Sequence, residues 1–227
     1  MKYDNYEQHE SPEERERKSH PIYNSTAIQS LGTLADYTIA YLLWLLCCIP
    51  IVTIGASTSA MYHVMMRIAS GEDYRVCKGF FSTFKENFKT RFLLWLTVLL
   101  VFVFLFFDLG LCEANPSTLL NAISYLIIAC IFIIHFFASL IFPIQGRYGG
   151  SYKATLRNAF YVATQHFMMV VLIALLPILP FILLQYTSNM YLLALLLVVG
   201  VPVLLVIQCH VLLKMFTEID EIRARSK

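Results

Sequence analysis

The sequence predicts an all-α protein, a polytopic transmembrane helical bundle, and three observations lead to this fold class. Hydrophobic residues make up 58% of the 227 and charged residues only 14%, which is more apolar surface than a water-soluble globule of this size can bury. The apolar residues fall in charge-free stretches that approach the roughly 20 helical residues needed to cross a bilayer. A β-barrel is a poor alternative because residues 93–107, LLWLTVLLVFVFLFF, show no alternation of apolar and polar positions.

The charge-free stretches predict five clear spans. They cover residues 31–50, 92–112, 119–142, 167–185 and 191–213. The predicted domain plan is a flexible polar N-terminal tail at 1–28, a transmembrane helical domain at 29–215 and a short charged C-terminal tail at 216–227. The first tail is too rich in charge and too poor in apolar residues to build a core of its own.

The third observation is the alternation of basic and base-free loops. Lys and Arg concentrate in the loops at 70–91 and 143–166 and in the C-terminal tail, whereas the connections at 113–118 and 186–190 contain neither. Basic residues near span ends are retained on the cytoplasmic side. The basic loops therefore belong on the inner face of the plasma membrane, and the C-terminus is predicted to lie there too.

The side occupied by the N-terminus depends on residues 47–72. Pro50 disfavours helical geometry just before it and Gly55 can adopt positive φ, so we predict a turn at Pro50, Thr53 and Gly55. A short sixth helix over residues 56–70 would follow, with Ser57 or Thr53 available as its cap. This arrangement gives three helical hairpins joined by basic cytoplasmic loops, with both termini cytoplasmic.

The short helix at 56–70 has three possible placements. At about 1.5 Å per residue it is about 22 Å long, which is less than the hydrocarbon thickness. It therefore crosses the membrane tightly packed, enters and leaves on one side, or lies amphipathically on the surface. Its small residues Ala56, Ser59 and Ala60 allow close approach of another helix, from this chain or from a partner.

The basic loop at 70–91 predicts an interfacial helix over residues 74–90. Phe80, Phe84 and Phe88 repeat every four residues and form one stripe. The candidate lipid or partner surface consists of basic residues, namely Arg75, Lys78, Lys85 and Lys89. An anionic inner leaflet explains such bases sufficiently, and docking of a cytosolic protein is the alternative. A weaker copy of this loop, with the same Gly, Tyr, base and aromatic order, occurs at 149–167.

Candidate intramembrane polar residues are few. We single out His135, Gln208 and His210 because an ionisable or polar group inside a span is costly and therefore a functional candidate. For His135 we favour a neutral ring bonded to a neighbouring helix. The same ambiguity applies to polar residues near span ends, namely Asp36, Asp108 and Gln185.

Signatures of enzyme chemistry are absent from the sequence. The six cysteines show no CxxC spacing, and no nucleophile elbow, phosphate-binding loop or HExxH motif occurs. We therefore predict no catalytic residues, no cofactor, no metal site and no nucleic-acid partner.

Three stretches resemble the YesL-like family of bacterial integral membrane proteins. They are LCCIPIVTIGASTSAMYHVMMRIASGED, FFSTFKENFKTRFLLW and FPIQGRYGGSYKATLRNAFYVATQHF, and the likeness extends over residues 30–213. Ala56 stands where many members have proline. The family has no established activity, but its members are commonly encoded beside genes for sugar uptake and polysaccharide degradation.

The resemblance implies an accessory or regulatory membrane component associated with carbohydrate uptake, with permease subunits of a sugar ABC transporter as partners. A small autonomous transporter or channel is the alternative, because Pro177, Pro180 and Pro202 predict kinked spans dotted with polar residues. A membrane enzyme is a third class that no motif supports.

Overall fold

The computed structural model describes residues 26–72, 74–114, 117–180, 182 and 196–225. The described chain is helical and contains no strand. Its α-helices are α1 (Thr26–Cys47), α2 (Ile54–Ala69), α3 (Val76–Lys85), α4 (Phe88–Ala114), α5 (Thr118–Tyr148), α6 (Tyr152–Gln165), α7 (Phe167–Leu175) and α8 (Val201–Arg225). A 3₁₀ turn, Ile51–Thr53, precedes α2, and a π-helical turn, Leu196–Gly200, precedes α8.

The predicted turn between the first two helices is present. The chain leaves α1 after Cys47, passes through Pro50 in extended geometry and enters α2 through the 3₁₀ turn. α2 packs against both α1 and α3, and α1 also contacts α3, so α2 runs back along α1. The first two helices therefore form a hairpin.

α2 is the central helix of the described bundle. It packs against α1, α3, α4, α5 and α8, and eleven of its sixteen residues are buried. Gly146 of α5 makes one of these contacts possible, because a Cβ there would lie 2.6 Å from the Ser59 carbonyl oxygen. The small residues Ala56, Ser59 and Ala60 are each 0% exposed against helices of the same chain. The face that we considered for a partner is thus occupied internally.

Among the described residues, three helices are long and apolar enough to cross a membrane, or four if a bent pair of helices is one span, so five spans are not shown. The three are Phe88–Ala114, Thr118–Tyr148 and a helix that covers Val198–Ile222. The described apolar part of α1, Leu31–Cys47, is shorter than a full span. Tyr152–Gln165 and Phe167–Pro180 pass the same test only as a pair, and they are bent by 108° at His166.

The two basic loops differ from the prediction in where their helices lie. The helix predicted at 74–90 is shorter, because α3 ends at Lys85 and Asn87, with φ of +51°, redirects the chain into α4. The second loop, 143–166, contributes the last turn of α5 and all of α6. Gly149 and Gly150, with φ of +60° and +101°, form the turn between these two helices.

The C-terminal tail predicted from residue 216 is instead the continuation of α8 to Arg225. Phe216 is 0% exposed and Ile219 is 5% exposed, so this part of the helix is packed into the bundle. Buried apolar residues among the charged ones hold this segment in the bundle, which charge composition alone did not indicate.

Several predictions lie outside the described residues. They concern most of the N-terminal tail, Gln185, the connection at 186–190 and the start of the last predicted span.

Candidate functional site

Helix α7 is interrupted at Leu176 and Pro177, and the resulting break organises the polar residues of the spans. A proline has no N–H and cannot bond the carbonyl four residues earlier, which here is that of Ile173. The side-chain amide of Gln208, on α8, donates to this carbonyl at 3.1 Å. Gln208 is 2% exposed, so the bond is made in the protein interior.

Two further side chains complete the arrangement around the break. The Tyr62 hydroxyl of α2 donates to Gln208 Oε1 at 3.0 Å, which holds the amide in place. His135 of α5 brings Nε2 to 2.9 Å from the Ala174 carbonyl oxygen, the next acceptor along α7. Nε2 therefore carries the proton, and His135 bonds a neighbouring helix, as we favoured from the sequence.

The remaining polar candidates do not join this group. His210 is exposed and its Nδ1 lies 2.8 Å from the Val206 carbonyl oxygen of its own helix. Asp36 on α1 and Asp108 on α4 are half-buried near other ends of the bundle. Of the three intramembrane candidates, Gln208 and His135 both donate hydrogen bonds to backbone carbonyls at the break in α7.

The first break, between α1 and α2, is closed by its own hydroxyl residues. The Thr53 hydroxyl lies 2.6 Å from the Cys47 carbonyl oxygen and 2.7 Å from that of Pro50. Ser57 donates to the Trp44 carbonyl at 3.1 Å, and the Trp44 indole donates to Thr58 at 3.1 Å. Thr53 thus satisfies the end of α1, whereas the sequence suggested that it would cap the start of α2.

Gly55 has a different role from the one predicted. It lies within the first turn of α2 rather than at a positive φ. A Cβ at this position would lie 2.6 Å from Trp95 Cβ and 2.8 Å from the Arg91 carbonyl oxygen. Glycine is required here because α4 approaches the backbone of α2 too closely for any side chain.

A polar cavity of about 430 Å³ lies between the ends of α2, α5 and α8. Its lining is His63, Met66, Arg67, Ser70, Glu72, Arg147, Tyr148, Leu213, Thr217 and Asp220. The volume falls in the range of small-molecule sites, although the lining is more polar than is usual for them.

The charges that line the cavity are paired within the protein. Arg67 lies 2.5 Å from Glu72, whose other oxygen accepts from the Ser70 hydroxyl at 3.1 Å. Arg147 lies 2.7 Å from Asp220, which also accepts from the Tyr148 hydroxyl at 2.9 Å. The second pair links the end of α5 to the part of α8 that was predicted to be a tail.

His63 forms the inner wall of the cavity. Its Nδ1 lies 2.7 Å from the Gly146 carbonyl oxygen and therefore donates, which leaves Nε2 to accept from the Tyr74 hydroxyl at 3.3 Å. A ring that donates from Nδ1 and accepts at Nε2 is neutral, so the cavity has two positive and two negative groups.

The basic surface predicted on the first inner loop is present on α3 and beside it. Lys78, Lys85 and Lys89 are exposed, as is Arg75. The Phe80 side chain, by contrast, is 0% exposed and packs in the core with α2. The aromatic stripe therefore holds α3 to the protein, and only the other faces of α3 are available to lipid or a partner.

Arg91 is a buried residue that the sequence did not single out. It is 1% exposed in the first turn of α4, and its guanidinium donates to the carbonyls of Thr83, of Glu86 at 2.8 Å and of Gln145 at 3.2 Å. Two of these carbonyls belong to the end of α3. Arg91 therefore joins α3, α4 and α5, and its position beside a predicted span end gave no sign of burial.

No group of three or more His, Cys, Asp or Glu side chains that could hold a metal ion occurs among the described residues. The six cysteines are free thiols spread over several helices.

Comparison with known proteins gives one match. The family model described as "Protein of unknown function, DUF624" matches residues 37–109. YesL-like proteins belong to this family. The matched segment contains the first break, all of α2 and α3, and most of α4. No curated protein and no solved structure matches the chain.

The match covers one of the two breaks but only part of the cavity. Thr53, Ser57 and Gly55 lie inside it, whereas Gln208 and His135 lie outside. Cavity residues His63, Arg67 and Glu72 are inside, and Arg147 and Asp220 are outside. This cavity could not be predicted from the sequence, because its walls come from segments more than 60 residues apart and no local motif connects them.

Proposed function

We propose that the protein is an integral membrane protein of the plasma membrane that acts through a partner, as an accessory or regulatory component of carbohydrate uptake by a sugar ABC transporter. The proposal rests on the hydrogen bonds that the polar residues of α5 and α8 form. His135 and Gln208 bond the α7 backbone instead of lining a path. A hydrophilic solute needs many polar groups to replace its lost hydration.

The geometry of the first two helices supports the proposed orientation. α2 turns back along α1, so the basic ends of the inner loops and the N-terminal tail would share the cytoplasmic face. Impermeant thiol labelling at Ser19 and Ser117, in a cysteine-free chain, tests this topology. We expect labelling from outside at Ser117 only, and labelling at Ser19 as well would contradict cytoplasmic placement of both termini.

The partner surface in this proposal is the exposed side of α3. Ala56, Ser59 and Ala60 are occupied within the chain, which leaves the exposed bases Lys78 and Lys85 beside Phe81, which is 44% exposed. Bases next to an exposed aromatic ring suit a cytosolic loop of a permease as well as an anionic leaflet. The link to carbohydrate uptake rests on the gene context of the YesL-like family.

Photo-crosslinking in cells tests the partner. A photoreactive amino acid at Lys78 is expected to capture a permease subunit, whereas the same group at Tyr125, which is 74% exposed at the opposite end of α5, serves as the control. Deletion of the gene is expected to slow growth on one polysaccharide-derived sugar and leave growth on glucose unchanged. The accessory role is refuted if the purified protein alone moves that sugar into liposomes.

The alternative is a small autonomous transporter or channel, and the cavity favours it over an enzyme. A volume of about 430 Å³ with two ion pairs could hold a small polar solute at the inner ends of α2, α5 and α8. In that case Arg147→Gln should reduce uptake by liposomes that contain the purified protein. Lys214→Gln, an exposed change on α8 outside the cavity lining, is the control.

A further inference from the structure

Helix α6 presents a mixed apolar and basic face away from the bundle. Leu156 is 40% exposed, Phe160 is 61% exposed and Tyr161 is 44% exposed. Lys153 and Arg157 are exposed between them. The opposite side of α6, which includes Thr155, Ala159 and Val162, is buried. At one side chain per 100° of helix, the exposed residues form one continuous face beside the buried one.

All charged residues on this face of α6 are basic. The sequence of α6, YKATLRNAFYVATQ, contains two basic residues and no acidic residue. Its bases lie in the first half of the helix, and the exposed aromatic rings lie in the second half, nearest α7. Lys and Arg beside apolar and aromatic side chains are typical of a helix that rests on an anionic membrane surface.

The direction of α6 supplies an independent observation. α6 and the helix Phe167–Pro180 meet at His166 with a bend of 108°. α7 is strongly apolar, and Phe167 and Met168 at its start are 59% and 80% exposed, as expected of residues that face lipid. If α7 follows the membrane normal, a bend near a right angle places α6 parallel to the membrane surface.

Aromatic contacts with α5 accompany this angle. Phe160 stacks on Phe137 of α5 at 6.0 Å between ring centroids, and Phe136 of α5 lies 5.5 Å from Phe167 of α7. The exposed part of Phe160 is therefore continuous with apolar rings on two helices that are long or apolar enough for the hydrocarbon region. The apolar side of α6 therefore adjoins the apolar surfaces of α5 and α7.

We propose that α6 lies in the inner interface of the membrane, with Leu156 and Phe160 inserted below the headgroups and with Lys153 and Arg157 bound to anionic lipid phosphates. This placement goes beyond the proposed accessory role and does not depend on it. It assigns the second inner loop to the membrane surface, where the sequence analysis had placed only the first.

Spin labels attached to the purified protein in nanodiscs test the depth of α6. We expect labels at 156 and 160 to lie about 5–10 Å below the phosphate level, with frequent collisions with oxygen and few with a water-soluble nickel complex. Gln165, exposed on the opposite edge of the same face, is the control position and should collide with nickel. Frequent nickel collisions at 156 and 160 would overturn the proposal.

Spin labels are attached through introduced cysteines, so the first experiment requires replacement of the native ones. A second experiment keeps the native cysteines and therefore does not depend on the folding of a cysteine-free chain. A photoreactive amino acid at Phe160 should form lipid adducts in nanodiscs that contain an anionic lipid, and the same group at Gln165 should form few. Capture of a second copy or of another protein at 160, in place of lipid, would contradict the lipid assignment.

The role of charge has its own matched pair of variants. Arg157→Gln should reduce lipid adducts at 160 in anionic nanodiscs and leave them unchanged in zwitterionic ones. Lys214→Gln, a change at an exposed basic residue of α8, should change neither. Equal adduct yields for all three chains in both lipids would show that the basic residues do not hold α6 on the membrane.

Discussion

The two helix breaks of this protein solve the same problem in opposite ways. At the first, between α1 and α2, the carbonyls of Cys47 and Trp44 bond hydroxyls that follow within 13 residues. At the second, in α7, the carbonyls of Ile173 and Ala174 bond side chains 35 and 39 residues away in the sequence. One break is satisfied locally and the other by two different helices.

The comparison explains what each break can do. A locally satisfied turn keeps its bonds whatever the rest of the bundle does, so it suits a fixed hairpin. The α7 break keeps its bonds only while α5, α7 and α8 remain docked. Unpaired carbonyls in an apolar interior are costly, so His135 and Gln208 couple the packing of three helices to one backbone position.

Gly55→Ala, just after the first break, should have the largest effect. The added Cβ meets the backbone carbonyl of Arg91 and the Cβ of Trp95, which cannot rotate away, so we expect a loss of about 3 kcal/mol of unfolding free energy. Denaturant unfolding in detergent micelles measures this. Gly110→Ala is the control, because a Cβ there meets nothing within 4 Å. Equal stability of the two variants would contradict the close approach of α2 and α4.

Gln208→Leu should have the next largest effect. It removes the donor to Ile173 and the acceptor from Tyr62 in the interior, and we expect a loss of about 2 kcal/mol. The same unfolding experiment applies. The exposed Gln165→Leu should change stability by less than about 0.5 kcal/mol. A similar loss in both variants would mean that the buried amide has no special role.

His135→Leu tests whether a histidine that bonds a neighbouring helix stabilises the protein more than one that bonds its own helix. It leaves the Ala174 carbonyl without its side-chain donor, and we expect a loss of about 1 kcal/mol, in the range measured for bonds between membrane helices. His210→Leu is the matched control, because that ring is exposed and bonds only its own helix. If His210→Leu is the more harmful change, His135 does not stabilise the break.

Thr53→Val tests the local break and should have the smallest effect. Valine keeps the shape but removes the hydroxyl that bonds Cys47 and Pro50, with an expected loss of about 0.5 kcal/mol because water can reach these carbonyls. Thr38→Val, which removes an exposed bond to Leu34 in the same helix, is the control. A loss as large as that for Gln208→Leu would remove the distinction between the breaks.

The local break was the more predictable of the two. Pro50, Thr53 and Gly55 lie close together in the sequence, so a turn could be inferred from them, although Thr53 bonds α1 rather than α2 and Gly55 does not adopt a positive φ. The helices around residues 92–112 and 119–142 were predictable for the same reason, because the apolar composition that indicates each of them lies within a single segment of the sequence.

The remainder depends on contacts between distant segments. Pro177 predicted a kink, but nothing local indicated that Gln208 and His135 would meet its carbonyls. Likewise, Asp220 was placed in a tail because no local pattern links it to Arg147 and Tyr148. Two buried faces could be recognised only from the packing of neighbouring helices. They are the face of α8 beyond residue 215 and the face of α3 at Phe80.

The central claim is that Gln208 replaces the hydrogen bond that Pro177 removes, and a double-mutant cycle tests it most directly. Pro177→Ala supplies an N–H that can bond the Ile173 carbonyl within α7, so Gln208→Leu should cost about 1 kcal/mol less in that background than in the wild type. The loss of the Tyr62 bond is common to both arms and cancels. Effects of the two changes that add to within about 0.3 kcal/mol would contradict the claim.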